Sequence, residues 1–363
     1  MHQKTIMLRR GGFMDNEEKK HKRRVHYSGK YPKKFEEKYK EHSPEKYQDI
    51  VEHVISKGST PAGMHISIMV KEILDFLQIK PGQRGLDCTL GYGGHTRKML
   101  ECLQGQGCIY GLDVDPIESE KTVARLREAG YGEENFQFRL INFANIDKVS
   151  EEAGKFDFVL ADLGVSSMQI DNPERGFSYK IDGPLDLRLD PTHGESAAER
   201  LKSISRDEFV GMLVENSDEP YAEKIADNVF NLMRKGKTID TTTELRQAIE
   251  DALWKLPKDE KDQAIKKSCA RVFQALRIDV NSEFEVLYSF LEKLPGIMNP
   301  GGRVAILTFH SGEDRLVKKA FKDLYKSGVF SDIATDVIRP SAEECRINPR
   351  SKSTKMRWAI MSE

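Results

Sequence analysis

One segment limits the folds open to this chain more than any other. Asp87-Cys88-Thr89-Leu90-Gly91-Tyr92-Gly93-Gly94-His95-Thr96 follows a short apolar run and opens a helical pattern, and Asp113 ends the next apolar run, 20 residues after Gly93. Glycines at such a strand-to-helix turn let the backbone approach a ligand without a Cβ clash. An acid at the end of the second strand is placed to take ribose hydroxyls in a doubly wound sheet. The spacing therefore predicts strands at Arg84–Thr89 and Cys108–Asp113, a helix from about Gly94, and another helix opened by Pro116, which suits a first helical turn.

The same alternation continues. Ile66, Val70, Ile73, Leu74 and Leu77 share a helical face before the first strand, and Phe136–Ile141 and Phe156–Asp162 read as two further strands with a helix between them. This is the pattern of an α/β fold, a doubly wound and mostly parallel sheet. It stops at about Asn172. Residues 172–268 read as loop and helix, with a capping box at Thr241-Thr242-Thr243-Glu244 followed by Leu245, Ile249 and Leu253. A helix with Phe284, Leu287, Leu291 and Leu294 facing inward, a strand at Gly301–His310 and a last strand at Lys355–Met361 resume the sheet. The expected division is a core of residues 61–171 and 269–363, a helical insertion at 172–268 that recognises substrate, and an N-terminal arm at 1–60.

The arm carries 11 Lys/Arg and 7 Asp/Glu between residues 15 and 46. It reads as partly disordered, either a solvated tail or a source of extra affinity for an RNA backbone. Arg9-Arg10-Gly11-Gly12 is what a purine-rich ribosome-binding site encodes when read through, which predicts Met14 as the start. The whole chain has a net charge of −1, so a nucleic-acid surface has to come from local clusters. No apolar run reaches the roughly 18–20 residues of a membrane span. Five cysteines without a CxxC pair predict reduced thiols in the cytoplasm and no metal site. Nothing in the sequence fixes an oligomeric state.

The glycine turn also bears on which nucleoside binds. Gly91-Tyr92-Gly93-Gly94-His95-Thr96 ends in Thr where the dinucleotide fingerprint needs a third small residue. Asp87 before the turn repels a diphosphate and suits a cationic ligand with an amino-acid head. S-adenosylmethionine fits this better than NAD. Asp162, at the end of the fourth strand, lies on the side of the sheet where such ligands bind, and the loop Leu163-Gly164-Val165-Ser166-Ser167 follows it. An acid there suits an enzyme that methylates an amine.

At these residues the chain resembles the RsmH (MraW) rRNA methyltransferases, and in particular an arm-bearing bacterial variety. The matching segments are HISIMVKEIL, DCTLGYGGHT, GLDVDP, DLGVSSMQIDNPERGFSYKIDGPLDLRLDP, RVFQALRIDVNSE, PGGRVAILTFHSGEDRLVK and NPRSKSTKMRWAI, in the family's order, over about residues 62–360. The resemblance implies a class I S-adenosylmethionine-dependent methyltransferase fold. It implies methylation at N4 of a cytosine in the decoding centre of 16S rRNA, within the small ribosomal subunit. It also implies donor contacts at Gly93, Gly94 and His95 in the turn, Asp113 on the ribose, Phe143 beside the adenine, and Asp162 with Gln169 after the fourth strand. Plain core packing is the alternative for Phe143. The chain departs from the family's usual residues at Gly312, at Lys267-Ser268-Cys269-Ala270 and at Ser217-Asp218-Glu219.

For the chemistry, Asp162 is the first candidate to accept an N4 hydrogen and Ser166 the second, a purely donor-contacting Asp162 being the alternative. Phe177 and Tyr179 are expected either to stack on an extruded base or to pack the insertion onto the core. Arg175 and Lys180 are expected to hold flanking phosphates. Arg277, Arg350, Lys355 and Arg357 complete the expected RNA contacts. The competing functional readings are a non-catalytic rRNA assembly factor with a vestigial pocket, a methyltransferase acting on DNA or protein, and a NAD-dependent dehydrogenase.

Overall fold

Short apolar runs, too brief for helices and bounded by glycine or polar turns, become a seven-stranded sheet. The computed structural model describes residues 67–363; the arm, the 57–63 linker and Ile66 lie outside the described residues. The strands are β1 (Arg84–Asp87), β2 (Cys108–Asp113), β3 (Phe136–Leu140), β4 (Phe156–Asp162), β5 (Met298–Thr308), β6 (Phe330–Ile333) and β7 (Lys355–Met361), in the spatial order β3-β2-β1-β4-β5-β7-β6. Strands β1 to β5 pair in parallel, and β7 runs antiparallel to both β5 and β6. The order reverses between β1 and β4, which opens a crevice at the carboxyl ends of those two strands.

Helices cover both faces. They are α1 (Val70–Leu77), α2 (Gly94–Leu103), α3 (Pro116–Glu128), α4 (Ile146–Ala153), the short α5 (Ser167–Asp171), α6 (Ala197–Ser203), α7 (Arg206–Ser217), α8 (Ala222–Arg234), α9 (Thr242–Ala252), α10 (Lys258–Val280), α11 (Glu283–Ile297), α12 (Ser311–Lys326) and α13 (Ala342–Ile347). One face of the sheet packs against α4, α11 and α12 through Val149, Phe290, Leu294 and Phe321; the other packs against α1 and α2 through Ile73, Met99 and Leu100. The cap of α3 follows from sequence. Asp115 accepts from the amides of Ile117 and Glu118 at 3.0 and 3.2 Å, and Pro116 needs no donor partner.

Helices α6 to α9 and much of α10 form a unit with its own apolar core, around Leu201, Phe209, Ile225, Val229 and Ile249. The predicted capping box at Thr241 and Glu244 is present. The boundary drawn at 268/269 falls inside α10, a continuous helix. Val272, Phe273 and Leu276 beyond it still pack into the helical core, because one apolar face of α10 serves that core along most of its length. No helix among the described residues is long and apolar enough to cross a membrane.

Two glycines are fixed by close packing. A Cβ on Gly85 in β1 would lie 2.0 Å from the ring of Phe158 in β4. A Cβ on Gly312 would lie 2.6 Å from the ring of Phe284, so this departure from the family pattern makes room for that aromatic side chain.

Candidate active site

The crevice holds a cavity of about 560 Å3, of the size that takes a nucleoside with a tail. Gly94, His95, Asp113, Phe143, Asp162 and Gln169 all line it, so six of the seven expected donor-contact residues converge. Gly93 does not reach the lining. It caps α2 at φ +79°, and a Cβ there would meet Thr122 Cγ2 of α3 at 2.8 Å, so its need for glycine comes from helix packing and backbone conformation. Gly91 takes the lining position instead, and its amide donates to Asp113 Oδ2 at 2.8 Å.

Asp113 closes the turn from the second strand. Its Oδ1 also accepts the amide of Asp115 at 2.9 Å. Loss of water pushes its carboxyl up to about 6, against the pull of those two amides. Asp87 does not line the cavity. It is 1% exposed under the turn and accepts from Thr89 N and Thr96 Oγ1, so it shapes the loop rather than receiving a cationic head.

Asp162 stands at the end of β4, its amide donating to Thr89 Oγ1 at 2.7 Å. Its Oδ1 is buried and makes no hydrogen bond. Its Oδ2 faces His95 Nδ1 at 3.6 Å, while His95 Nε2 lies 2.8 Å from the Ile68 carbonyl oxygen. A carbonyl only accepts, so Nε2 carries a proton there and Nδ1 turns to Asp162. Burial pushes Asp162 up to about 6. His95 opposes the rise, and the Asp87 and Glu313 carboxylates add to it.

The loop after β4 is braced by its own residues. Ser166 caps α5 by accepting the Gln169 amide at 3.1 Å, and Gln169 Oε1 accepts the Ser166 amide in return. Gln169 Nε2 donates to Asp115 Oδ2 at 3.0 Å. Phe143 lines the cavity and packs edge-on against Phe290, ring centroids 5.4 Å apart.

The expected RNA contacts scatter. Arg175 is buried and paired with Asp115 at 2.6 Å, and it also donates to the Arg188 and Leu189 carbonyls; its charge is consumed inside the fold and no phosphate reaches it. Phe177 is buried in the helical core rather than open for stacking. Tyr179 packs edge-on against Phe273 and borders a second cavity with Lys180, Arg246 and the exposed Trp254, away from the donor crevice. Arg350 stands at the crevice rim and pairs with Asp171 at 2.7 Å, next to the exposed Lys352. Lys355 and Arg357 both bind Asp314 at the start of α12, Arg357 being buried, so one carboxylate draws both cations onto the fold.

Arg277 lies inside the crevice rather than on an outer surface. It forms a bidentate pair with Glu283, Nε to Oε1 at 2.8 Å and Nη2 to Oε2 at 2.9 Å. Glu283, His310 and Glu313 bring ligand-type atoms within 4.8 Å of one another, and the Arg277 guanidinium supplies the positive charge of this group. Burial raises Glu313, but His310 and Arg277 outweigh it and hold the carboxyl below its usual range. Sequence reasoning missed Glu283 and Glu313; the available signal was their place in the RVFQALRIDVNSE and FHSGEDR segments.

The residues present fit S-adenosylmethionine. A glycine turn lets the backbone approach, Asp113 offers acceptors for ribose hydroxyls, Phe143 gives an apolar wall for a base, and Asp162 leaves a polar oxygen in want of a partner. A family model described as the MraW methylase family matches residues 62–362. Ribosomal RNA small subunit methyltransferase H 1 of Agathobacter rectalis is 69% identical over 348 residues, 96% of this chain and 100% of that protein. Ribosomal RNA small subunit methyltransferase H 2 of Alkaliphilus metalliredigens is 60% identical, over 96% of this chain and 99% of its own length. Ribosomal RNA small subunit methyltransferase H of Clostridioides difficile is 37% identical, over 81% of this chain and 98% of its own length. With its glycine turn and two strand-end carboxylates around one crevice, and S-adenosylmethionine as its methyl donor, the chain belongs to the MraW methylase family.

Proposed function

We propose that this protein methylates the N4 amine of a cytosine in the decoding centre of small-subunit rRNA, acting in the cytoplasm on RNA held in the subunit. The rRNA part of this reading is supported by the names of relatives that cover nearly the whole chain. The amine part is carried by one observation, the buried Oδ1 of Asp162, an acceptor without a donor at the carboxyl end of β4.

A cytosine N4 lone pair is delocalised into the ring and is a weak nucleophile. The donor, when bound, supplies an electrophilic methyl group on a sulfonium. The Asp162 carboxylate accepts one N4 hydrogen, which lets the nitrogen pyramidalise as its new carbon bond forms and the sulfur–methyl bond breaks. A carboxyl pushed up to about 6 is ionised at neutral pH yet basic enough to take the N4 proton once the methyl has arrived. The capping box of Ser166 and Gln169 holds the β4 exit loop still, and alignment of this kind supplies most of the acceleration such a reaction needs.

The helical unit serves substrate recognition in this reading. Lys180 and Trp254 on its second cavity, and Arg350 and Lys352 at the crevice rim, supply phosphate and base contacts. The test is mass mapping of modified nucleosides in small-subunit rRNA from cells with and without the gene. Loss of one N4-methylcytosine is expected, and an unchanged cytosine profile rejects the reading.

A further inference from the structure

Arg277 ends its helix inside the crevice with 15% of its side chain exposed. A guanidinium has two edges that each offer a parallel pair of N–H donors. Glu283 takes the Nε/Nη2 edge. The Nη1/Nη2 edge stays open, and Nη1 makes no hydrogen bond to any described residue.

This open edge is next to the loop that carries the reacting carboxylate. Gly164, two residues beyond Asp162, has φ +93°, and a Cβ on it would lie 3.9 and 4.0 Å from Nη2 and Nη1 of Arg277 and 3.8 Å from Phe309 Cδ2. Asp162, Gly164, Arg277 and Phe309 line the same cavity. Burying a guanidinium is costly unless its donors are used. A purely structural arginine would have spent its second edge on backbone carbonyls, as Arg175 does.

Resting on the amine-methylation reading above, we infer that the open edge of Arg277 selects the target base by donating to N3 and O2 of cytosine while N4 faces Asp162. The pattern is specific. Cytosine sets two acceptors side by side next to its amine. Adenine sets N1 beside a C–H, and uracil presents an N–H at N3, which opposes a guanidinium. Glu283 fixes the plane of the fork, and lysine in place of Arg277 lacks a second parallel donor.

The experiment uses the full-length chain and small-subunit rRNA carrying either cytosine or 3-deazacytosine at the target. 3-Deazacytosine keeps the amine and O2 but has C–H in place of N3, and its amine is the better nucleophile. Wild-type kcat/KM is expected to fall about tenfold on the deaza substrate. Arg277→Lys is expected to lose 10- to 100-fold on cytosine. The pair Arg277→Met with Glu283→Gln, which leaves no Glu283 carboxylate without its partner and keeps His310 beside Glu313, is expected to show no preference between the two substrates. S-adenosylhomocysteine affinity, the check on folding, is expected to stay within about twofold. Equal wild-type rates on the two RNAs overturn the inference without any variant. A double variant that keeps the wild-type preference also overturns it. A wild-type protein that puts no methyl on a cytosine N4 rejects the parent reading as well, so the two failures are distinguishable.

Discussion

Asp115 and Arg175, 60 residues apart, meet in a buried ion pair that joins the second strand's exit to the loop beneath the helical unit. Asp115 caps α3, accepts from Gln169 and neutralises Arg175, so three elements around the donor crevice share one carboxylate. Arg175→Met strands that charge and is expected to destabilise the protein by about 3–5 kcal/mol, read from denaturant unfolding. Adding Asp115→Asn is expected to recover a good part of the loss. A wild-type midpoint for Arg175→Met shows that the pair holds nothing.

Asp113→Asn keeps the shape of the strand end but removes its charge. Calorimetric titration with S-adenosylhomocysteine is expected to show affinity weakened about 10- to 100-fold, the loss of charge-assisted bonds to hydroxyl groups. Unaltered affinity places the ribose elsewhere.

The role proposed for Asp162 carries a pH dependence. With its carboxyl at about 6, the accepting carboxylate is depleted below that value. Single-turnover methylation at saturating donor is expected to fall tenfold per unit below about pH 6 and to level off above it. Asp162→Asn is expected to be slow and flat with pH. The sign for folding is the reverse. Asp113 and Asp162 both hold their protons more tightly in the fold than unfolded, so their stabilising contribution is complete below about pH 4 and is lost as pH rises through about 6.

Gly85→Ala tests the packing that holds β1 against β4. The added methyl enters the Phe158 ring, and the expected cost is about 1–3 kcal/mol or more in thermal or denaturant unfolding. Combining it with Phe158→Leu is expected to relieve part of that cost. A neutral Gly85→Ala contradicts the close approach.

Much of this architecture is legible in the sequence. The β2, β4 and β7 segments coincide with the predicted runs because each is a short apolar stretch cut off by an acid or a turn. The donor crevice follows from the Gly-rich turn and Asp113, since topology brings strand ends together whatever the side chains do. The strand β6 was not foreseen: Phe330-Ser331-Asp332-Ile333 is short, lies at the sheet edge and pairs on one side only. The fate of the arginines is also hidden. Glu283 reaches Arg277 because Ser282 adopts φ +49° between α10 and α11, and no periodicity predicts that reversal. Two of the segments in which the chain departs from the family pattern meet in space, Ser268 Oγ donating to Oε1 of Glu219, a residue the family shares, at 2.8 Å. They read as separate oddities along the chain and as one buried contact in the fold.

The parallel neighbours β4 and β5 have a time order as well as a spatial one. Asp162 and Met298 bracket the whole helical unit, so during synthesis the edge of β4 waits unpaired until β5 emerges, a slow non-local closure. The rim at Asn348 to Ser353 comes later still. A nascent chain halted before that rim has β5 without its partner β7 and a donor cavity lacking one wall, and an unpaired strand edge of this kind invites edge-to-edge association.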